Sequence, residues 1–342
     1  MSLKYKICGG AGEHGRNCFF IEDGNISYLF DCGIMKGAED PYPHILEDDI
    51  KKLKYIFLSH SHLDHSGALL WFYENGFKGH IVCTSETYNQ LSIKPKNSIL
   101  IKIFNTWITL DKNIDVSCGR SGHCSGAVWF NVRTPFGKAF FTGDYIETSN
   151  IYPCDKIRKT SADIAFIDCA YGYDKKSYIE NSSAIIKEVL KNILNNKNII
   201  FPVPKYGRGL ELIDILKKQL PQISIFADSI LLEQLKKYHS LNLYNYKKIG
   251  SDPSDDKAAL YFICDPQLER EKNIKLINRV KGQIIFTGTV EEGSYAEELL
   301  KSKEALFLRF NVHQNYDDAK KLIEENSFKK VILTHSKEIL PH

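Results

Sequence analysis

Four side chains that commonly bind metal ions occupy one six-residue stretch of the sequence. Their imidazole and carboxylate groups suit a borderline cation such as zinc. One short loop cannot easily direct all four at a single tetrahedral ion, so two neighbouring ions are the better interpretation. The competing interpretation is a polar loop that is merely rich in histidine, although the chain has only 11 histidines. The stretch supplies His60 and His62 for one ion, and Asp64 and His65 for the other.

The flanking sequence predicts that this cluster lies where a strand ends and a helix begins. The apolar run Tyr55–Leu58 predicts a buried strand, and Gly67–Phe72 is typical of a helix start. Layered α/β proteins place their sites at such strand ends. Other predicted strands and glycine-rich turns also deliver acidic or imidazole groups, namely Asp31, His123, Asp144, Asp168, His313 and His335.

The combined set has enough ligands for two zinc ions. Two ions about 3.5–4 Å apart can clamp the attacking and leaving oxygens of an in-line displacement at phosphorus. The predicted ligands are His60, His62, Asp64, His65, His123, Asp144 and His335.

Three acidic or imidazole residues fall outside that ligand count. Asp168 and His313 could act together, because a histidine backed by a carboxylate can protonate a leaving oxygen or bind the scissile phosphate. Either one could equally be a structural residue with its hydrogen bonds satisfied. Asp31 at a strand end is either a turn cap or a hydrogen-bond partner of a ligand histidine, and its position alone favours the cap.

Composition limits the class of protein. The chain is 43% hydrophobic and 25% charged, which is the usual composition of a globular protein. Its 342 residues are enough for one large or two smaller domains. A net charge of +3 is too small to indicate nucleic acid by itself. The sequence has no apolar run of membrane-spanning length and no secretory signal pattern. Nine scattered cysteines without a Cys-x-x-Cys pair favour reduced thiols and a cytoplasmic location.

The order of these motifs resembles that of a known superfamily. His60-x-His62-x-Asp64-His65 is similar to the signature of the metallo-β-lactamase superfamily, and Asp31, His123 and Asp144 match its other motifs. The rest resembles the β-CASP nucleases, a branch that includes RNase J and the cleavage-and-polyadenylation endonuclease. The stretches that carry this likeness are the glycine loop Gly9–Asn17, Ile167–Gly172 as motif A, Asn311–His313 with Asp317–Ala319 as motif B, and Leu333–Ser336 as motif C.

The resemblance implies an α/β fold, an αββα metallo-β-lactamase sandwich with an inserted α/β β-CASP domain. It implies that residues 1–172 and 305–342 form the discontinuous sandwich domain and residues 173–304 the insertion. It also implies two Zn²⁺ per chain and catalytic roles for Asp31, Asp64, Asp168 and His313. Candidate substrate contacts are Lys205, Tyr206, Arg208, Thr289 and Ser336.

The implied activity is zinc-dependent hydrolysis of single-stranded RNA. Members that act on RNA have histidine at motif C, and this chain has His335 there. No membrane partner is expected, and a homodimer is one oligomeric option. The alternatives are a DNA nuclease of the same family, a small-ester or thioester metallohydrolase of the same fold, and a non-catalytic RNA-binding scaffold.

The second half of the chain predicts alternating strands and helices, with a polar excursion at 240–257. Expected strands include Ile199–Phe201 stopped by Pro202, Ile223–Phe226, and Ala305–Phe310. Expected helices include Tyr178–Asn195, Gly209–Leu220 and a helix from Ser229 to His239.

Overall fold

The computed structural model describes residues 3–24, 26–238, 246–249 and 258–336. It separates into two compact units, with Met1–Lys175 and Val312–His342 in unit 1 and Lys176–Asn311 in unit 2. The sequence-based domain boundaries are 172/173 and 304/305, a few residues earlier at each junction. Most of the predicted excursion at 240–257, residue 239 and the turn residue 25 lie outside the described residues.

The first sheet of unit 1 follows the chain order of its strands. Within the described residues, its members are β1 (Lys4–Gly9), β2 (Cys18–Asp23), β3 (Ile26–Phe30), β4 (Leu53–Phe57), β5 (His80–Thr84) and β6 (Ser98–Ile101). The β1–β2–β3 part is antiparallel, and β3 to β6 are parallel. Parallel strands need crossover connections, and the helices between them are α1 (Glu47–Lys52), α2 (Leu63–Ser66), α3 (Leu69–Glu74) and α4 (Ser85–Gln90).

The second sheet of unit 1 begins as an antiparallel meander. Its strands are β7 (Ile108–Asp111), β8 (Ile114–Arg120), β9 (Val128–Thr134) and β10 (Gly137–Phe141). After the short strand β11 (Ser161–Ala162), β12 (Ile164–Asp168) pairs in parallel with β10.

Unit 2 contains a parallel sheet whose inner strands are almost continuously apolar, as expected for strands buried on both faces. Along the chain its described elements are α5 (Tyr178–Leu194), β13 (Ile199–Pro202), α6 (Arg208–Gln219), β14 (Ile225–Ala227), α7 (Ser229–Tyr238), β15 (Tyr246–Lys248), β16 (Leu260–Ile263), α8 (Glu271–Val280), β17 (Gln283–Phe286), α9 (Tyr295–Lys301) and β18 (Ala305–Phe307). The spatial order of the strands is β15-β14-β16-β13-β17-β18.

The chain then returns to unit 1 and completes its second sheet. The returning elements are α10 (Tyr316–Glu324), β19 (Ser327–Phe328) and β20 (Val331–Thr334). β20 pairs in parallel with β12 at the edge of the sheet, which places Thr334 opposite Asp168. The pairing brings the end of β20 to the end of β12, so residues that follow both strands share one edge.

Aromatic side chains fill the space between the two sheets of unit 1. Alternation along β2 sends Phe19 and Ile21 into this layer and Phe20 to the opposite face. Phe19 stacks on Phe166 of β12 with ring centroids 4.6 Å apart. Each buried phenylalanine contributes roughly 1.5–3 kcal/mol, so this aromatic layer is a main reason why the sheets face each other.

Helices cover the outer faces of both sheets in unit 1. Leu29 and Ile56 of the first sheet share a buried cluster with Phe72 of α3. Ile167 of the second sheet shares another with Leu322 of α10. The four layers therefore run helix, sheet, sheet, helix, and the predicted αββα sandwich is confirmed.

Several predicted strand limits are wrong. β13 includes Pro202 as its last residue, paired with Ile263. A proline at the end of a strand is tolerated because it removes only one of the N–H groups that hydrogen-bond to the neighbouring strand. β14 starts two residues later than predicted, since Ile223 is held in a turn by its N–H bond to Leu220 O at 3.1 Å. β18 ends at Phe307 rather than 310, because the neighbouring strand β17 already ends at Phe286.

None of the nine cysteines, all within the described ranges, forms a disulfide. In the part of the chain that the structure describes, no helix is both long enough and apolar enough to cross a bilayer.

Candidate metal centre and catalytic dyad

The seven predicted metal ligands meet at one edge of unit 1, although they come from distant parts of the sequence. Each follows a strand or lies in a turn at the same edge: His60 and His62 follow β4, Asp64 and His65 lie in α2, His123 lies between β8 and β9, Asp144 follows β10, and His335 follows β20. Parallel pairing of the delivering strands in each sheet explains why these strand ends converge.

Four of the ligands form a first ligand set, composed of His60, His62, His123 and Asp144. Nδ1 of His62 lies 3.0 Å from Nε2 of His60 and 3.2 Å from Nε2 of His123. Oδ2 of Asp144 lies 3.5 Å from His60 Nε2 and 3.3 Å from His123 Nε2.

A second ligand set contains Asp64, His65, His335 and the other oxygen of Asp144. Oδ2 of Asp64 lies 3.4 Å from His65 Nε2 and 3.1 Å from His335 Nε2. Oδ1 of Asp144 lies 3.1 Å from His65 Nε2 and 3.2 Å from His335 Nδ1. Asp144 therefore presents one carboxylate oxygen to each set.

These spacings fit a metal centre. Ligand atoms placed 2.0–2.1 Å from a tetrahedral zinc ion are separated from each other by about 3.3 Å. The observed separations run from 3.0 to 3.5 Å in the first set and from 3.1 to 3.4 Å in the second. The donor set of imidazole and carboxylate also matches the chemistry that zinc accepts. The residues can therefore hold a pair of metal ions, with Asp144 between them.

Three ligand imidazoles are oriented by hydrogen bonds on the nitrogen that faces away from the cluster. Such bonds fix the tautomer and the ring orientation of a metal-binding histidine. They leave Nε2 of each ring directed at the ligand sets. The contacts are His60 Nδ1 with Ser59 Oγ at 3.0 Å, His65 Nδ1 with Asp31 Oδ2 at 2.6 Å, and His123 Nδ1 donating to Val312 O at 2.7 Å.

Asp31 supports the cluster from beneath instead of capping a turn. It is fully buried, and besides His65 it accepts bonds from Ser59 N and Ser59 Oγ, each at 2.7 Å. Burial raises its carboxyl pKa, and the neighbouring His65 opposes that rise. The backbone at Asp31 has a φ of +58°, which is rare for a residue other than glycine. Such strain commonly persists at functional sites.

Replacing Asp31 with asparagine is expected to weaken metal binding at the second ligand set by about 10- to 100-fold. Asparagine keeps the size of the side chain but no longer offers a charged acceptor to His65 Nδ1. Titration of the metal-depleted protein with zinc measures the effect. A variant that binds both ions as tightly as the parent would contradict this role.

The carboxylates and histidines of the cluster shift one another's proton affinities. Burial favours the neutral form of the Asp144 carboxyl. The nearby His65 and His335 outweigh this effect and hold the pKa of Asp144 well below its usual range. Burial and the charge of His65 lower the pKa of His60 well below its usual value. Burial lowers the pKa of His335, but the neighbouring Asp144 outweighs this effect and raises the pKa to about 10. Asp144 thus favours a proton on His335, and a cation bound between these groups would displace that proton.

Asp168 and His313 form a buried pair beside the metal ligands. Nδ1 of His313 donates to Asp168 Oδ2 at 2.9 Å, and Tyr145 N donates to the same oxygen at 3.0 Å. Nε2 of His313 lies 3.9 Å from Asp144 Oδ2, so it faces the cluster. This is the arrangement of an imidazole that a carboxylate holds in one tautomer.

The structure also permits a different grouping of the same residues. Asp144, Asp168, His313 and His335 each offer a ligand atom, and those atoms lie within 4.8 Å of one another. His313 could therefore be a metal ligand or a proton carrier, and metal analysis of a His313 variant separates the two roles.

The glycine loop contributes residues to which the sequence analysis assigned no chemistry. The amide of Asn17 lies 3.1 Å from His65 Nε2 and 3.2 Å from Asp64 O. The ring of His14 lies 5.5 Å from the ring of His335, and the backbone N–H of His335 donates to Gly10 O at 2.6 Å. The spacing rules for metal ligands do not single out an asparagine, so only its position in the loop before Cys18 could have suggested a role.

Close backbone packing beneath α2 requires a glycine. A Cβ atom at Gly33 would lie 1.7 Å from the carbonyl oxygen of Asp64. The same segment donates Cys32 N to His65 O at 2.8 Å and Ile34 N to Leu63 O at 2.9 Å. The ligand-bearing turn is thus fixed by main-chain bonds, and any larger residue at 33 would push it outward.

Four of the predicted substrate contacts lie in unit 2. Lys205 and Tyr206 follow β13, Arg208 begins α6, and Thr289 follows β17. Arg208 packs directly on the backbone after β17, because a Cβ atom at Gly288 would lie 1.7 Å from its Nη1. In unit 1, the fifth candidate, Ser336, is buried next to His335. Contact of these five residues with a substrate stays a prediction.

Comparison with known proteins adds independent information. A profile of the metallo-β-lactamase superfamily matches residues 11–96, which include the His60–His65 stretch. A solved protein of unknown function from Enterococcus faecalis covers 100% of this chain and 98% of its own, with a TM-score of 0.64 and 14% identity. That likeness concerns the fold.

Curated relatives have names connected with RNA. The transcription termination factor FttA of Methanothermobacter thermautotrophicus is 24% identical over 66% of this chain and 42% of its own length. The cleavage and polyadenylation specificity factor 73 of Drosophila melanogaster is 24% identical over 98% of this chain and 60% of its own. A probable RNase of Methanocaldococcus jannaschii is 25% identical over 83% of this chain and 72% of its own length. The chain thus spans about half the length of the first two relatives.

Proposed function

We propose, from the premise that this chain belongs to the metallo-β-lactamase superfamily and to its β-CASP family, that the protein is a zinc-dependent ribonuclease. Its substrate would be single-stranded RNA, and the reaction would be hydrolysis of a phosphodiester bond with two Zn²⁺ ions. The observation that carries the proposal is the position of Asp144 between two ligand sets, with the Asp168–His313 pair beside them.

A pair of zinc ions bound there would polarise the phosphoryl oxygens and supply a nucleophile at neutral pH. The chain's own residues do the remaining work. Asp31, Ser59 and the carbonyl of Val312 hold the ligand rings in place, so little reorganisation is needed during the reaction.

His313 is suited to move a proton in this reaction. Asp168 accepts its Nδ1–H, which leaves Nε2 directed toward the cluster. When both ring nitrogens carry a proton, the imidazolium can give its Nε2 proton to the oxygen that leaves phosphorus and become the neutral tautomer whose Nδ1–H Asp168 accepts. Asp168 is itself fixed by Tyr145 N and Ala170 N, the latter at 3.1 Å, so the pair has little freedom to rotate.

The same ligand sets would suit a hydrolase of small esters or thioesters, so the choice of RNA depends on the relatives. Three curated relatives, named as polyadenylation factors and as Integrator complex subunit 11, align along 97–98% of this chain, so the match extends to most of unit 2. A deoxyribonuclease is the nearest competing function, because the metal chemistry would be identical. Substrate comparison decides between these functions.

The direct test is incubation of the purified protein with 5′- and 3′-labelled single-stranded RNA, with and without a chelator. We expect cleavage that the chelator abolishes and added zinc restores, and metal analysis showing about two zinc ions per chain. The fragment pattern from the two labels identifies internal or terminal cutting, and sedimentation of the same preparation tests for a homodimer.

DNA of the same sequence and a small thioester serve as competing substrates. Cleavage of DNA at an equal or greater rate would replace the ribonuclease proposal with the deoxyribonuclease one. Hydrolysis of the thioester alone would favour the small-molecule hydrolase. RNA cleavage that resists exhaustive chelation would contradict a metal-dependent mechanism.

A further inference from the structure

We propose that unit 1 carries a base-stacking subsite next to the catalytic dyad, built from Tyr171, Tyr173, Tyr316 and Lys175. We call these four residues the tyrosine platform. Its ligand would be an unpaired nucleobase of a nucleotide close to the scissile phosphate. The inference rests on the proposed nuclease function, and it adds how the substrate would be gripped.

Two segments of unit 1 are joined to form the platform. Residues 171–175 follow β12, and residues 312–316 precede α10. Val312 N donates to the hydroxyl oxygen of Tyr171 at 2.9 Å, and Tyr316 N donates to Asp174 O at 3.0 Å. Asn315 Nδ2 adds a bond to Lys175 O at 3.2 Å. The platform is therefore built on a fixed frame and not on a loose loop.

The aromatic rings lead away from His313 toward solvent. The ring of Tyr171 meets the His313 imidazole edge to face, with centroids 5.2 Å apart and a 77° angle between planes. In the same two segments, the rings of Tyr173 and Tyr316 have centroids 5.4 Å apart. Tyr173 is 48% exposed. The outer end of the row thus offers ring surface to a ligand.

Chain geometry keeps the outer rings close to the dyad. Tyr173 is two residues beyond Tyr171, and a fully extended chain advances at most about 3.6 Å per residue. Its backbone is therefore within about 7 Å of a residue whose ring touches His313. Tyr316 is three residues after His313. A nucleotide whose phosphate is at the cluster has its neighbour within this range.

The charges of the platform favour a base over a phosphate. Lys175 places its Nζ 5.6 Å from the Tyr316 ring centroid, and 3.4 Å from Asp317 Oδ1. Asp174 and Asp317 add negative charge to the same two segments. One lysine against two aspartates leaves no net positive charge for a phosphate, whereas exposed ring surface binds by stacking, which every base can do without sequence preference. The expected ligand is consequently single-stranded and not confined to one base.

The test measures binding and cleavage separately in Tyr173→Leu, with Tyr173→Phe as the matched control. Leucine removes the ring but keeps an apolar side chain, whereas phenylalanine keeps the ring and loses only the hydroxyl. Fluorescence anisotropy in the presence of chelator compares a short oligoadenylate with an abasic ribose-phosphate oligomer of equal length. The parent is expected to prefer the oligoadenylate.

We expect Tyr173→Leu to bind oligoadenylate about 10-fold more weakly, while its weaker binding of the abasic oligomer is unchanged. Tyr173→Phe should behave as the parent does. With zinc present, the leucine variant should show a raised KM for RNA and an unchanged kcat. A kcat that falls while KM stays constant would overturn the stacking role.

Two outcomes separate this inference from the proposed function. If the parent cleaves RNA but Tyr173→Leu binds oligoadenylate as well as the parent does, the platform is wrong and the nuclease stands. If the parent cleaves no RNA, the proposed function fails, and the chelated binding assay still decides on the platform. Tyr316→Leu provides a second variant of the same ring pair, and normal binding in both variants would overturn the inference.

Discussion

Asp144→Asn is expected to lower RNA hydrolysis by more than about 100-fold, because outer-shell partners of a metal site alone are worth about 10- to 100-fold. Asp144 is the residue that offers an oxygen to each ligand set, with four ligand histidine nitrogens 3.1–3.5 Å from its two oxygens. Asparagine keeps one oxygen and loses the negative charge. Metal analysis should show that zinc falls from about two ions per chain to one or fewer.

Asp48→Asn is the matched control for this variant. Asp48 is an exposed carboxylate in α1, which joins the start of β4, whereas the predicted ligands follow the end of that strand, so its replacement should leave both zinc content and hydrolysis at the parental level. Circular dichroism of Asp144→Asn checks that the sandwich is retained. Parental activity in a folded Asp144→Asn protein would show that this cluster is not the centre of catalysis.

His313→Ala is expected to lower the rate of RNA hydrolysis by about 10²- to 10⁴-fold without releasing zinc. In the proposed mechanism His313 carries a proton and binds no ion, so removal of its ring should affect kcat much more than KM. Asp168→Asn should have a related effect, since an amide can no longer hold the His313 tautomer that donates from Nδ1 to the carboxylate.

Zinc stoichiometry decides between the two roles that the geometry allows for His313. If His313→Ala loses an ion, then His313 and Asp168 belong to a ligand group with Asp144 and His335, and the proton must come from elsewhere. If both ions remain and substrates with a more acidic leaving alcohol are hydrolysed at nearly the parental rate, the proton-carrier role is supported.

The metal ligands could be predicted from the sequence because ligand residue types recur at the ends of predicted strands. His60 to His65 stand out through their spacing, and Asp144 and His335 through the apolar strands that precede them. The structure brings all of them to one edge of unit 1. Their assignment as zinc ligands stays a prediction until metal is measured.

The residues that orient the ligands could not be predicted, because their role depends on tertiary contacts. Ser59 is an ordinary residue before His60, and the carbonyl of Val312 acts through its backbone, which no residue type reveals. Asn17 approaches His65 only because two strands bring the glycine loop over α2. For Asp31, the local sequence favoured a turn cap, whereas its position in space makes it a partner of His65.

The fold shows the same division between local and tertiary causes. The helix Tyr178–Leu194 was predictable because Ser177 and Glu180 form a capping box at its start. The helix Glu271–Val280 has no local start signal, because Arg270 precedes it without a side-chain cap, although its apolar residues do recur at helical spacing. The short pair formed by β11 and β19 joins two residues from each of two distant segments, so no local pattern indicates it.

The insertion of unit 2 into unit 1 also determines the order in which the predicted metal ligands are synthesised. A ribosome makes His60, His62, His123 and Asp144 before it begins unit 2, whereas His335 emerges only after that unit is complete. At translation rates of about 5–20 residues per second, the interval is roughly 10–40 s. A nascent polypeptide can therefore complete one ligand set early, but it cannot assemble the pair until the final strand has been translated.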